Sequence, residues 1–123
     1  MKLRLICFVL FLLGISCKSG NEKTITLVDK AFMQEKVVGK NVQLVDVRTP
    51  EEFNSGRIAG AVNYNIINRE VFLTQIEDLD KDQPVYLYCK MGGRSNRAAQ
   101  VLKQEGFTKI FDFSGGYNAW VSD

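Results

Sequence analysis

Cys89 opens the segment Cys89-Lys90-Met91-Gly92-Gly93-Arg94-Ser95, directly after the apolar run Val85-Tyr86-Leu87-Tyr88. These residue types in this order suit chemistry at sulfur. Gly92 and Gly93 lack a Cβ, so the backbone can curl tightly and aim several N–H groups at one point. A helix expected to be capped by Ser95 adds the positive end of its dipole. Such a cup stabilises a thiolate and any anionic group bound to it. Arg94 contributes a permanent charge with planar donors suited to an oxyanion, and Lys90 a second, more mobile charge. The competing reading of a lone cysteine at a strand end is a buried, inert thiol. The flanking cations and glycines weigh against it.

The elements that must position this loop follow from hydrophobic period and punctuation. Thr24-Ile25-Thr26-Leu27 predicts a short strand, and Asp29 is placed to cap a helix carrying Ala31, Phe32 and Val37 that ends at Gly39. Val42 to Val47 is rich in β-branched residues and predicts a buried strand, with Asp46 and Arg48 at its C-terminal end. Thr49-Pro50-Glu51-Glu52 has the form of a capping box with proline at the first helical position. Ala61 to Tyr64 predicts another short strand, and Arg69 to Leu79 carries Val71, Phe72, Ile76 and Leu79 at helical spacing. Val85 to Tyr88 is the next strand. Ala98, Ala99, Val101 and Leu102 form one apolar helix face that ends at Gly106, and Ile110 to Phe113 predicts the last strand. Strands alternating with helices imply an α/β domain with a parallel-dominated sheet, whose ligand chemistry lies outside the carboxyl ends of the strands. Cys89 falls at such an end.

Composition limits the alternatives. A chain of 123 residues with 46% hydrophobic content supports one ordinary domain. Lys2 and Arg4 account for its net charge of +2, and the remainder balances 14 basic against 14 acidic residues, so nothing points to nucleic acid. No cofactor or metal is expected.

The first 16 residues read as a secretory signal. Met1-Lys2-Leu3-Arg4 is basic, and Leu5 to Leu13 is an apolar core too short to span a bilayer comfortably. Gly14-Ile15-Ser16-Cys17 then resembles the bacterial lipoprotein signal, in which small residues precede a cysteine that is lipidated and becomes the mature N-terminus. Gly14 departs from the leucine usual in that signal. A plain cleaved signal peptide, with Cys17 incidental, is the alternative. Residues 17–23 are expected to be a lipidated tether and residues 24–123 the domain. The protein is then exported and anchored by its lipid to a bacterial envelope membrane, on the periplasmic or extracellular face. With Cys7 removed and Cys17 lipidated, Cys89 has no intramolecular partner; without lipidation, a Cys17 to Cys89 disulfide is the competing arrangement.

Over residues 24 to 121 the chain resembles a single-domain rhodanese, or thiosulfate sulfurtransferase-like protein. The matching pieces are Leu44-Val45-Asp46-Val47-Arg48, Glu51-Glu52-Phe53, Gly56 to Asn63, the loop Cys89 to Ser95, and Phe113-Ser114-Gly115-Gly116-Tyr117 with Trp120. The resemblance implies a small α/β domain with a five-stranded parallel sheet and a catalytic cysteine that shuttles sulfur as a persulfide. Carried over by position, Cys89 is the sulfur acceptor, and Lys90, Met91, Gly92, Gly93, Arg94 and Ser95 form the cradle for the transferred sulfur and the donor's anionic group. The implied partners are a small sulfur-containing anion such as thiosulfate, or a thiol or persulfide protein.

Arg57 stands where many relatives have histidine, and the chain contains no histidine. Thiolate formation must therefore rest on loop amides, a helix terminus and nearby cations. Asp46, Arg48 and Glu52 are expected to form a structural polar network near the strand ends. Gly115, Gly116 and Trp120 are expected in a turn and the core. Two other functions compete with sulfur transfer. A cysteine-dependent phosphatase also brackets its anion loop with Cys and Arg, but with five intervening residues and usually a histidine before the cysteine, where this chain has four and Tyr88. The other is a membrane-tethered, non-enzymatic binding module.

Overall fold

Short runs of β-branched and aromatic residues become the strands of one sheet, and the segments between them that carry helical spacing pack on its faces. The computed structural model describes residues 23–123. In chain order the elements are β1 (Ile25–Val28), α1 (Lys30–Lys36), β2 (Gln43–Asp46), α2 (Pro50–Ser55), β3 (Val62–Asn63), α3 (Arg69–Gln75), β4 (Val85–Tyr88), α4 (Gly93–Gln104), β5 (Ile110–Phe113) and α5 (Gly116–Val121). The expected signal segment, and the tether with Cys17 up to residue 22, lie outside the described residues.

The strands lie in the order β1-β5-β4-β2-β3, and every pairing is parallel. The central strand β4 is buried at all four positions. Helices cover both faces of such a sheet, which is why Val85-Tyr86-Leu87-Tyr88 reads as a continuous apolar run with no polar alternation. β2 pairs with β4 in the register Leu44 to Tyr86 and Asp46 to Tyr88. Arg48 and Cys89 therefore leave neighbouring strands at the same edge of the sheet, as the sequence predicts.

Side-chain alternation divides the core into two layers. Val85 and Leu87 of β4, and Cys89 just after it, join Ala98, Ala99, Val101 and Leu102 of α4 and Phe72 of α3. Tyr86 and Tyr88 point the other way, among Met33, Leu44, Ile58 and Phe113, with Tyr117 and Trp120 of α5 packed against that cluster. Local signals hold well at the helix starts. Asp29 caps α1 by accepting from the Phe32 N–H, and Thr49 and Glu52 complete the reciprocal capping box of α2.

The departures from expectation have local causes. The helix predicted from Arg69 to Leu79 is α-helical only to Gln75 and tightens into a 3₁₀ turn over Ile76–Asp78. The chain must turn there, because Gln43 Oε1 of β2 accepts from the Asp80 N–H at 2.7 Å. Ser95 does not cap α4. The N-cap is Gly92, at φ +99°, and Ser95 sits inside the first turn. α5 was expected only as turn and core residues, since its six residues begin with glycine and offer little apolar period.

Candidate active site

Two polar clusters brace the edge of the sheet from which Cys89 emerges. The first is fully interior: Asp46 and Arg48 are almost completely buried. Arg48 donates from Nε to Asp46 Oδ1 at 3.0 Å and from Nη2 to Asp46 Oδ2 at 2.6 Å, and Nη2 also reaches the Gly56 carbonyl at 2.6 Å. Its guanidinium lies 4.3 Å from the centre of the Tyr117 ring. Asn63 donates to the Asp46 and Arg48 carbonyls, so β3, short as it is, is fastened to the end of β2. The Tyr88 phenol accepts from the Ile58 N–H, and burial raises its pKa, keeping it neutral.

Glu52 belongs to a second cluster. The expected single network of Asp46, Arg48 and Glu52 resolves into two pairs, because the carboxylate that completes the α2 capping box also takes a bidentate pair from Arg94. Arg94 Nη1 lies 2.6 Å from Glu52 Oε1, and Nη2 lies 3.0 Å from Oε2. Arg94, expected in the cradle for the transferred sulfur and the donor's anionic group, is a fixed charge, braced by α2, at the rim of the loop.

The Glu52 carboxyl is lowered from 4.5 to about 2, chiefly by the hydrogen bond from Arg94, against the opposing effect of burial. A carboxylate depressed in the folded state adds stability above its unfolded pKa, and this is lost as pH falls through the folded value. The melting temperature of the domain should therefore drop between pH 4.5 and about pH 2. A Glu52→Gln variant should show a shallower drop across that window, and parallel curves would show that the pair is not coupled to folding.

Cys89 is 1% exposed, at the floor of an open cavity of about 350 Å³ lined by Cys89, Lys90, Met91, Gly93, Arg94 and Arg97. The Gly92 N–H donates to Sγ at 3.0 Å, and Sγ lies 3.5 Å from Ser95 Oγ. Burial opposes ionisation of the thiol. The Ser95 hydroxyl and the backbone N–H groups of Ser95, Gly92 and Met91 outweigh it, and the pKa falls below that of an ordinary cysteine. The Arg94 charge also interacts with the thiolate. The loop thus brings together every residue from Cys89 to Ser95 that the sequence singled out. Ser95 contributes from a different position: its hydroxyl donates to the Gly92 carbonyl at 3.2 Å and sits beside sulfur.

Arg57 lies outside both clusters. It is exposed, with its guanidinium 4.3 Å over the Phe53 ring, and does not line the Cys89 cavity. Residues beyond those singled out take part. Arg97, one turn along α4, lines the cavity with Arg94. The N–H groups of Tyr117 and Asn118 hold the carbonyls of Cys89 and Lys90 at 2.8 and 3.1 Å. α5 can come this close because Gly116 has φ +65°, and a Cβ there would lie 2.5 Å from the Lys90 carbonyl oxygen. The glycine pair at 115 and 116 was the available signal for this contact.

A family model described as the Rhodanese-like domain matches residues 24–123. Among curated proteins, the chain is 41% identical over 81 residues to a protein of Shewanella oneidensis named Thiosulfate sulfurtransferase GlpE, covering 66% of this chain and 77% of that protein. It is 41% identical over 85 residues to Bacillus subtilis YqhL, covering 66% of this chain and 62% of that one. Among solved structures, a rhodanese-like domain protein from Staphylococcus aureus superposes with a TM-score of 0.69 at 26% identity, over 80% of this chain and 93% of its own. The family match spans nearly all of the described residues and includes both the parallel sheet and the cysteine loop, so the chain belongs to the rhodanese-like domain family.

Proposed function

We propose that this protein is a sulfurtransferase that moves sulfane sulfur from thiosulfate or a persulfide through a persulfide on Cys89 to a thiophilic acceptor. The acceptor is cyanide, a small thiol or a protein cysteine. The observation that carries this reading is the depressed thiol at the floor of a cationic cavity, with the Gly92 N–H donating to Sγ at 3.0 Å. In the first step the Cys89 thiolate attacks the outer sulfur of thiosulfate. The S–S bond breaks, sulfite leaves with its electron pair, and Cys89 carries a persulfide anion. In the second step the acceptor attacks the outer sulfur and the Cys89 thiolate returns.

Charge placement supports both steps. The loop amides face a negative charge that stays at sulfur throughout, first on the thiolate and then on the persulfide. Arg94, Arg97 and Lys90 line the cavity where the sulfonate of the donor approaches. Arg94 is already oriented by Glu52, so less ordering is required of it when the donor binds. The test is incubation of the protein with thiosulfate and cyanide, with thiocyanate followed in parallel with phosphate release from an aryl phosphate. Thiocyanate production without phosphate release is expected. Neither product would favour the binding-module reading, and phosphate release alone would favour a phosphatase.

The protein is further proposed to work at a bacterial envelope membrane, held by a lipid on Cys17. Support comes from the basic start, the apolar core of residues 5 to 13 and the position of Cys17. Cys17→Ala should move the protein from the membrane fraction to the soluble fraction. Unchanged fractionation with no lipid on the N-terminal peptide would rule the anchor out.

A further inference from the structure

Beside the Cys89 cavity, and sharing Arg97 with it, lies a second cavity of about 340 Å³ between the start of α3 and the outer side of α4. It is lined by Ile66, Arg69, Arg97, Gln100, Val101 and Gln104. The four α4 residues among these stand at helical spacing on one face. From Arg97 to Gln104 that face runs about 10 Å. The two cavities therefore form one groove, with Cys89 at one end and Gln104 at the other.

Its chemistry differs along its section. Ile66 and Val101 are buried and form an apolar floor, while Arg69 and Arg97 are exposed at the rim. The three ion pairs among the described residues use neither arginine. No acid interrupts α4 from Gly93 to Gln104, and Glu70 and Glu105, nearby in sequence, do not line the groove. Two guanidiniums without a protein carboxylate suit a carboxylate from a ligand. Gln100 and Gln104 can each donate and accept, which matches amide groups. No aromatic ring lines this cavity, so it offers no stacking surface to a nucleotide base.

The opposite side of the Cys89 cavity is less suited to an acid. Lys90 there borders a cavity lined also by Glu51, Glu52 and Arg48. Arg48 is committed to Asp46 and the Gly56 carbonyl, Glu52 to Arg94, and Glu51 adds a negative charge. An anionic tail leaving Cys89 is accordingly directed along α4.

We propose that the groove along α4 binds an elongated small thiol of peptide character, whose terminal carboxylate pairs with Arg69 and Arg97 while its sulfur lies at Cys89. About three extended residues span 10 Å, which sets its size. The inference rests on the sulfurtransferase reading for the reaction and names the acceptor class. The acceptor, its thiol proton lost to solvent, attacks the outer sulfur of the Cys89 persulfide. The persulfide S–S bond breaks, the Cys89 thiolate leaves with the electron pair, and the acceptor departs as its own persulfide.

S-methylglutathione, a peptide acid that cannot accept sulfur, probes the groove independently of turnover. Titration calorimetry on the full chain should show binding, weakened roughly tenfold in Arg69→Gln and largely kept in Arg69→Lys. The dimethyl ester should bind the wild type as weakly as the acid binds Arg69→Gln. S-methylglutathione should also slow iodoacetamide alkylation of Cys89 in the wild type, and at the same concentration protect Arg69→Gln much less. Arg69 is exposed in the first turn of α3, where a positive charge opposes the helix dipole, so its replacement should not lower the melting temperature. With thiosulfate as donor, Arg69→Gln should raise the KM for glutathione without changing kcat, the KM for cysteamine or turnover with cyanide. Sulfur transfer to cyanide without S-methylglutathione binding, equal binding by wild type and Arg69→Gln, binding without protection of Cys89, or an equal rise in the cysteamine KM would each overturn the proposal. Binding and protection that depend on Arg69, in a chain that turns over no thiosulfate, would uphold the groove and fault the sulfurtransferase reading instead.

Discussion

Cys89→Ser should abolish sulfur transfer from thiosulfate to cyanide, by at least roughly a thousandfold, while leaving the fold and its melting temperature close to wild type. The replacement keeps the size and the hydrogen-bonding neighbours of the side chain. It removes the atom that ionises in this pH range and forms the S–S bond. The site is arranged around that ionisation: the Gly92 N–H lies 3.0 Å from Sγ, and further donors converge from Met91 and Ser95. A serine hydroxyl in the same cup remains protonated and is a poor nucleophile toward sulfur. Residual turnover within tenfold of wild type would move the chemistry to another group.

Gly92→Ala should be a strongly damaging single-methyl change in the loop. Gly92 has φ +99°, and a Cβ there would lie 2.5 Å from the Ser114 carbonyl oxygen, a backbone atom with no rotamer to change. The left-handed conformation alone costs a non-glycine residue about 1–2 kcal/mol, and the displaced contact adds to it, for a total of about 2–3 kcal/mol. The functional effect should exceed that of lost stability, because relief of the clash moves the N–H that donates to sulfur. Gly93→Ala is the internal control. A Cβ at position 93 meets nothing within 4 Å, and alanine suits the first helical position. Urea denaturation and the pH profile of Cys89 alkylation should show large shifts for Gly92→Ala and small ones for Gly93→Ala. Equal behaviour would mean that the loop geometry around Gly92 is not what sets the thiol.

The contrast between these adjacent glycines shows what was legible in the sequence. That a Gly-Gly pair after Cys89 curls the loop follows from the missing Cβ atoms. Which glycine takes the positive φ depends on Ser114, contributed by a segment more than twenty residues away. The same division runs through the fold. β2 and β4 are evident as apolar runs, and the α2 capping box is evident from Thr49 to Glu52, because each signal is local. The Glu52 to Arg94 pair joins residues 42 apart in sequence and has no local trace. The cap expected at Ser95 moved to Gly92 because the glycine turn begins the helix earlier, which freed the Ser95 hydroxyl to face sulfur. Asp112 was visible as an acid within a strand, but its inward direction follows from the register with Leu87. α5 gave no helical period, yet it buttresses the loop through Tyr117 and Asn118.

These contacts make the cysteine loop a junction between elements. α2 holds Arg94 through Glu52, α5 holds the Cys89 and Lys90 carbonyls, and the first turn of α4 supplies Ser95. Arg94 is thereby a fixed charge at the rim, while Lys90 and Met91 remain exposed between the fixed points.

Mass spectrometry of the full chain after treatment with thiosulfate tests the central claim most directly. The peptide carrying Cys89 should gain the mass of one sulfur atom, the peptide from Cys89→Ser should gain nothing, and cyanide should remove the added sulfur as thiocyanate. A wild-type Cys89 peptide that stays unmodified under conditions where its thiol alkylates readily would contradict the persulfide account.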